Sequence, residues 1–245
     1  MNKPVSYQTL ENGLTNLVVD GSARYLINGA NLDIIVKENA NLELLVFNKN
    51  CLDNKLNIRL ERDAHVRIYN IIITNCNTLL EEDVYLEKTN SKCEITSVLL
   101  ASGDANLNSD INIYHPVGNT SSVFENYGIA KDNAKITLNN NATIKQGARR
   151  AEVKQKAKGL TLSKTASIKA MPNLYIDEYD VIANHSASIG SISKDDLFYL
   201  MSRGLTKEEA TSLVVIGFIK PIIDNITDES LKDEIYKAFI ENLTK

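Results

Sequence analysis

Residues 172–221 read PNLYIDEYDVIANHSASIGSISKDDLFYLMSRGLTKEEATSLVVIGFIKP, and the chain changes class inside them. Up to Ile192 the residues read as short strands between turns. From Ser193 they read as helices. Ser193-Lys-Asp-Asp196 has the form of a capping box with Asp in place of Glu, and LFYLMSRG stops on Gly204. Thr206-Lys-Glu-Glu209 has the complete S/T-x-x-E form. It opens a second helix with Ala210, Leu213, Val214 and Phe218 on one face and Pro221 in or just after its last turn. A third helix, about Asp228 to Leu243, carries Leu231, Ile235, Phe239 and Leu243 at four-residue steps. The reading divides the chain into a β part, residues 1–192, and a helical part, residues 193–245, that closes off the β part and serves for attachment.

Upstream a pattern recurs: a polar turn, a small residue, then alternating apolar residues. ENANLELLV (38–46), RDAHVRIYN (62–70), NSKCEITSV (90–98), DNAKITLNN (132–140) and KTASIKAM (164–171) all show it. The small residue falls at Ala40, Ala64, Cys93, Ala134 and Ala166. Alternation after a turn signal is strand grammar. Repetition at roughly 24–40 residues predicts a solenoid of stacked coils around one core. A β-sandwich gives similar spacing and stays open as an alternative.

At 245 residues the chain can bury a large core, and 43% hydrophobic with 24% charged residues is ordinary globular composition. A net charge of -4 argues against a dedicated nucleic-acid binder. MNKPVSYQTL has no apolar run of a secretory signal, and no stretch reaches the length of a membrane span. The three cysteines, Cys51, Cys76 and Cys93, are too scattered for a disulfide framework, and a reducing cytoplasm is the expected compartment.

No C-x-x-C occurs, which speaks against a self-contained structural zinc site. Cys93 reads as a small buried hydrophobe. Cys51 and Cys76 sit among turn residues, each a candidate ligand or reactive thiol, with a spacing that does not suggest a pair. Gly159-Leu-Thr-Leu-Ser-Lys164-Thr165 lacks the second glycine of a phosphate loop and places its lysine one position early, so the chain is not expected to bind ATP. Lys145, Arg149, Arg150, Lys154, Lys156, Lys158, Lys164 and Lys169 form a basic segment that reads as a solvated strand face. His65 lies in an alternating strand and His115 precedes Pro116 at a turn. His185 lies among small residues in NHSASIG, and a neutral imidazole with open access suits iron or zinc. Ser186 and Ser188 lack a nucleophile elbow, so no hydrolase set is visible. A β-helix carbohydrate-active enzyme, the rival catalytic reading, would want a secretion signal and a catalytic groove, neither of which is evident.

Leu162-Ser163, Ala166, Pro172-x-Leu174, Asp180-Val181, His185, Gly190, Leu197-Phe198-Tyr199-Leu200, Ser202-Arg203-Gly204-Leu205, Glu209-Ala210 and Gly217-Phe218 together form an ordered set. That set resembles the SufB/SufD family, the scaffold subunits of Suf iron–sulfur cluster assembly. Weaker similarity reaches back through Thr120-Ser121-Ser122 and His115. The resemblance implies a mainly β fold: a right-handed parallel β-helix followed by a small C-terminal helical domain. It implies no enzymatic turnover by this chain, a separate SufC-type ABC ATPase as partner, and a second scaffold, either another copy or a SufB/SufD paralogue. The ATPase would dock on the helices around Phe198, Tyr199, Arg203 and Phe218, which are expected near the organising core of that surface. A transient iron–sulfur cluster would be contacted first by His185, with Asp177 and Glu178 as weaker oxygen ligands; Cys51, Cys76 and Cys93 are not placed by the motif. SufB carries a cluster-site cysteine about one coil before its histidine and reads Glu-His-Glu there. This chain has no cysteine in that place and reads Asn184-His185-Ser186, which is more SufD-like. The short length implies a minimal system in which two copies pair with two ATPases. A partner that docks the ATPase without ever holding a cluster is the second reading.

Overall fold

A computed structural model describes residues 6–10 and 13–244. Among the described residues fifteen strands alternate between two parallel sheets, so the chain winds as a β-solenoid. The first sheet stacks β1 (Gln8–Thr9), β3 (Ser22–Ile27), β5 (Asn41–Asn48), β7 (His65–Thr74), β9 (Lys92–Ala101), β11 (Ser121–Ala130), β13 (Ala151–Thr161) and β15 (Val181–Ser191). The second stacks β2 (Asn16–Val19), β4 (Asn31–Val36), β6 (Asn54–Leu60), β8 (Thr78–Leu86), β10 (Asn106–His115), β12 (Lys135–Ile144) and β14 (Ser167–Ile176).

The period-two pattern sets which side chains fill the lumen. In β8, Leu80, Val84 and Leu86 point inward and are fully buried, while Glu81, Asp83 and Tyr85 between them stay half-exposed. In-register stacking turns such positions into rows. One inward row runs Tyr25, Leu44, Ile68, Ile95, Phe124, Gln155, His185, one residue per coil. Each fully buried aliphatic or Phe in the lumen contributes about 1.5–3 kcal/mol.

The repeat is two interleaved repeats, which explains its irregular spacing. Ala40, Ala64, Ser91 and Thr120 occupy the corner before the first-sheet strands, each carbonyl accepting from the next coil, as in His65 N–H to Ala40 O (2.9 Å) and Lys92 N–H to Ala64 O (2.9 Å). Ala105, Ala134 and Ala166 occupy the corner before the second-sheet strands. Cys93 is not the repeat's small residue, because it lies within β9 opposite Val66. Coils also lengthen: equivalent hydrogen-bonded positions lie 24 residues apart at Lys37–Glu61, 29 at Asn112–Asp83 and 31 at Ser163–Asp132. At the first corner Asn39, Asp63, Asn90, Asn119 and Arg150 all take left-handed φ between 56° and 62°. Asn and Asp tolerate this conformation best, which accounts for four of the five.

Three helices follow: α1 (Lys194–Ser202), α2 (Lys207–Ile223) and α3 (Glu229–Leu243). Ser193 caps α1, and Gly204 (φ 98°) ends its exit turn. Thr206 and Glu209 form a reciprocal capping box on α2. Thr206→Ala removes one of its two bonds and is expected to cost about 1 kcal/mol. Faster backbone hydrogen exchange in the first turn of α2 is the check.

The buried face of α2 is Ala210, Val215, Ile219, Ile222 and Ile223, rotated from the expected one, and Leu213 is exposed. The helix packs against a sheet and against α3 at once, so the apolar stripe of an isolated pair does not describe it. The face of α3 agrees with the reading: Ile235, Phe239 and Leu243 are buried and Leu231 is half-buried.

The helices do not close the end of the rod. They lie on the outer face of the first sheet, where Leu45, Phe47, Tyr69, Ile71, Ile73, Val98, Leu100 and Ile129 turn outward to meet α2 and α3. Those strands are apolar on both faces, and the outer face is what demands the cover. The last coil is left uncovered. β14 and β15 each have one hydrogen-bonded neighbour, and Tyr175, Ile176, Tyr179, Ile182 and Ile189 are exposed. No described helix is long and apolar enough to cross a membrane.

Candidate functional site

His185 belongs to the inward row of β15, directly beyond Gln155 of the preceding coil. Gln155 is buried; its Nε2 donates to Asn173 O (3.0 Å), and its Oε1 has no partner. His185 itself is exposed, because no further coil covers it. Alternation turns its neighbours Asn184 and Ser186 to the outer face, beside Lys154 and Lys156. Lys154 is exposed there, and Lys156 pairs with Glu125 at 3.4 Å. The imidazole is therefore held by a strand, aimed along an interior row, and reachable from outside.

Asp177 and Glu178 lie in the corner between β14 and β15. His185 is four residues past Val181, about 13 Å along the strand. Glu178 is engaged by the backbone: its carboxylate accepts from Gly147 N–H (2.9 Å), Tyr179 N–H (2.9 Å) and Asp180 N–H (3.3 Å). Those donors hold its carboxyl below the usual glutamate range. Its position in this structure is that of a corner clip.

Cys93 is buried in the lumen, and burial together with the neighbouring Glu82 and Glu94 charges raises its thiol well above the ordinary value. A thiolate there is strongly disfavoured. Cys51 and Cys76 are a correction to the sequence reading. They are joined by a disulfide with Cα atoms 5.6 Å apart. Their separation of 25 residues is one coil at that point of the rod, so stacking brings them together. The coil length was the available signal; two isolated turn cysteines carry it only once the register is known.

The other histidines are structural. His115 is buried at the end of β10, with Nδ1 2.7 Å from Thr120 Oγ1 and Nε2 2.9 Å from Ser122 Oγ. His65 faces Glu94 at 3.5 Å. Among the described residues no three His, Cys, Asp or Glu side chains converge as a metal site. The sequence candidates thus fall in three places: the Cys51–Cys76 corner, the lumen at Cys93, and the last coil.

On the helices, Phe198 (75% exposed) and Tyr199 (57%) stand out from α1, which has no buried residue. α1 meets α2 without burying any of its own residues, so these two rings stand in solvent. Arg203 lies over the Tyr199 ring at 5.2 Å. Phe218 is half-buried and meets Tyr127 edge-on at 5.5 Å, so its ring belongs to the helix–sheet contact.

Residues 7–218 match the family described as SUF system FeS cluster assembly, SufBD core domain. The iron–sulfur cluster assembly protein SufD of Bacillus subtilis is 32% identical over 174 residues, covering 71% of this chain. An iron–sulfur cluster assembly SufBD family protein of Mycobacterium tuberculosis is 28% identical over 208 residues, 83% of this chain. The B. subtilis iron–sulfur cluster assembly protein SufB is 29% identical over 133 residues, 54% of this chain. The chain spans 40%, 24% and 29% of the lengths of these relatives. With the match running from the first coils into α2, this chain belongs to the SufB/SufD core-domain family.

Proposed function

We propose that this chain is a scaffold subunit of a Suf-type iron–sulfur cluster assembly complex in the cytoplasm, with the cluster as the product built on it. The observation that carries the reading is His185: an inward-row imidazole left accessible at the uncovered last coil. Since one described chain gathers no three-residue ligand set, a second scaffold completes it. The unpaired edges of β14 and β15 and the exposed Tyr179, Ile182 and Ile189 are where a second copy or a SufB/SufD paralogue would seat. Asp177 and Glu178 flank that end.

A SufC-type ATPase docks on the helices, with Phe198, Tyr199 and Arg203 as contacts and Phe218 holding the helices to the rod. ATP binds to that partner. Because α2 and α3 grip the outer face of the coils, a rotation of the docked ATPase passes through the stiff stack to the last coil.

His185→Ala is expected to lower cluster yield at least tenfold, read as anaerobic absorbance of the reconstituted complex with its ATPase. Its exposure predicts an unchanged fold, so circular dichroism should not move. Unaltered yield removes His185 from the site. The absence of a cysteine one coil before His185 favours one second reading, an ATPase partner that never holds a cluster. Normal complex formation without any cluster absorbance would select it.

A further inference from the structure

Cys51 and Cys76 have no part in the reading above. They sit at the corner where the chain leaves β5 and β7, bonded across successive coils. Both are half-buried in a polar turn. Asn75 Oδ1 lies 3.5 Å from Cys51 Sγ and 3.3 Å from Cys76 Sγ, and the Thr74 hydroxyl lies 3.8 Å from Cys51 Sγ. An outside thiol can reach this corner, in contrast to Cys93, which is sealed in the lumen.

We infer that Cys51 and Cys76 form a reversible dithiol–disulfide site that exchanges with low-molecular-weight thiols and disulfides and staples two successive coils. Three features carry this. The backbone ladder brings the residues together independently of the bond: Asn48 stacks on Ile72, and successive corners of a parallel stack lie about 4.8 Å apart. Reduction therefore leaves the two thiols facing each other, ready to close again. Cys51 holds a left-handed φ of 56°, so the corner keeps its shape through the turn itself. Third, the site adjoins the helix-bearing face. Phe47 and Ile73 pack in the helix–sheet cluster, and Lys49, two residues before Cys51, pairs with Glu234 of α3 at 2.7 Å. A staple here ties the loop carrying that ion pair to the next coil.

The chemistry balances with a disulfide such as oxidised glutathione as oxidant. One cysteine thiolate attacks it, forms a mixed disulfide and expels one glutathione thiolate. The second cysteine thiolate then attacks the mixed disulfide and expels the other. The two cysteines lose two electrons to the oxidant, and their two protons end on two glutathione thiols.

The test uses the full chain, equilibrated without denaturant in reduced and oxidised glutathione, then alkylated and analysed by mass spectrometry. The expected result is interconversion between a form with two alkylated cysteines and an unalkylated form two hydrogens lighter than the free dithiol chain, Cys93 remaining unmodified in both. Oxidation should also slow hydrogen exchange in residues 48–54 and 75–78. Glutathione adducts without the intramolecular bond, a bond that resists excess dithiothreitol, or equal exchange in both forms would each overturn the proposal. In Cys51→Ser, Cys76 should take up one glutathione; a Cys76 as inert as Cys93 would overturn its accessibility.

Discussion

Phe239→Ala is expected to destabilise the grip of the helices on the rod by about 3–5 kcal/mol, the range for emptying a fully buried aromatic site. Phe239 is completely buried in the cluster that includes Val215, Ile219 and Ile235 of the helices and Tyr69, Ile71 and Val98 of the outer sheet face. Little else could compensate. Polar ties among the described residues include Lys49–Glu234, Arg24 Nη1 donating to Thr227 Oγ1 (3.1 Å) and Lys131 reaching Asn242 O (3.5 Å) and Leu243 O (3.4 Å). The exposed ties at Lys49 and Arg24 contribute about 0–1 kcal/mol each. The coils have a separate lumen core, and repeat stacks lose stability by neighbouring units. The variant should therefore keep its strand signal in circular dichroism while α2 and α3 become sensitive to limited proteolysis. Equal protection of the helices in variant and parent would show that the apolar contact is not what holds them.

Glu82→Gln is expected to stabilise the chain by about 2 kcal/mol at pH 8. Glu82 points into the lumen from β8 and is fully buried beside the Asn70 amide. Burial pushes its carboxyl up to about 7, with the Asn70 amide opposing. The unfolded chain ionises near 4.5, so folding loses stability as pH rises from 4.5 to 7 and no more beyond. That interval corresponds to about 3 kcal/mol, of which one unpaired amide N–H in Gln returns about 1. His115 runs the opposite way. Burial takes it down to about 4 from 6.5, so its contribution is complete above 6.5 and is lost as pH falls through 4. Between 4.5 and 6.5 the two slopes oppose each other. Denaturant midpoints should vary little with pH in the parent there and fall steeply toward acid in Glu82→Gln. Parallel profiles for parent and variant would show that Glu82 does not carry its proton into the fold.

Much of the architecture could be read locally. Alternation marked the stretches that form β5, β7, β9, β12 and β14 as strands, and Ser193, Thr206 and Glu209 marked two helix starts, because strand period and cap chemistry need only neighbours in sequence. The same locality limited the repeat: two corners with similar small residues were merged into one irregular series, and Cys93 was assigned to it. The face of α2 was misplaced because its burial depends on which outer-sheet residues it meets. At the candidate site, the motif around His185 was legible from the ordered residues on either side. That its ring lies in an inward row, and that Glu178 spends its carboxylate on three backbone N–H groups, required the register.

The amino-acid sequence alone determined that the chain is a series of short strands followed by capped helices, since those preferences are short-range. Only the tertiary structure decided that Cys51 meets Cys76, that the helices lie along the flank, and that the last coil stands open. Contacts between coils depend on the accumulated length of every turn between them, and a difference of a few residues per coil moves each residue's neighbour.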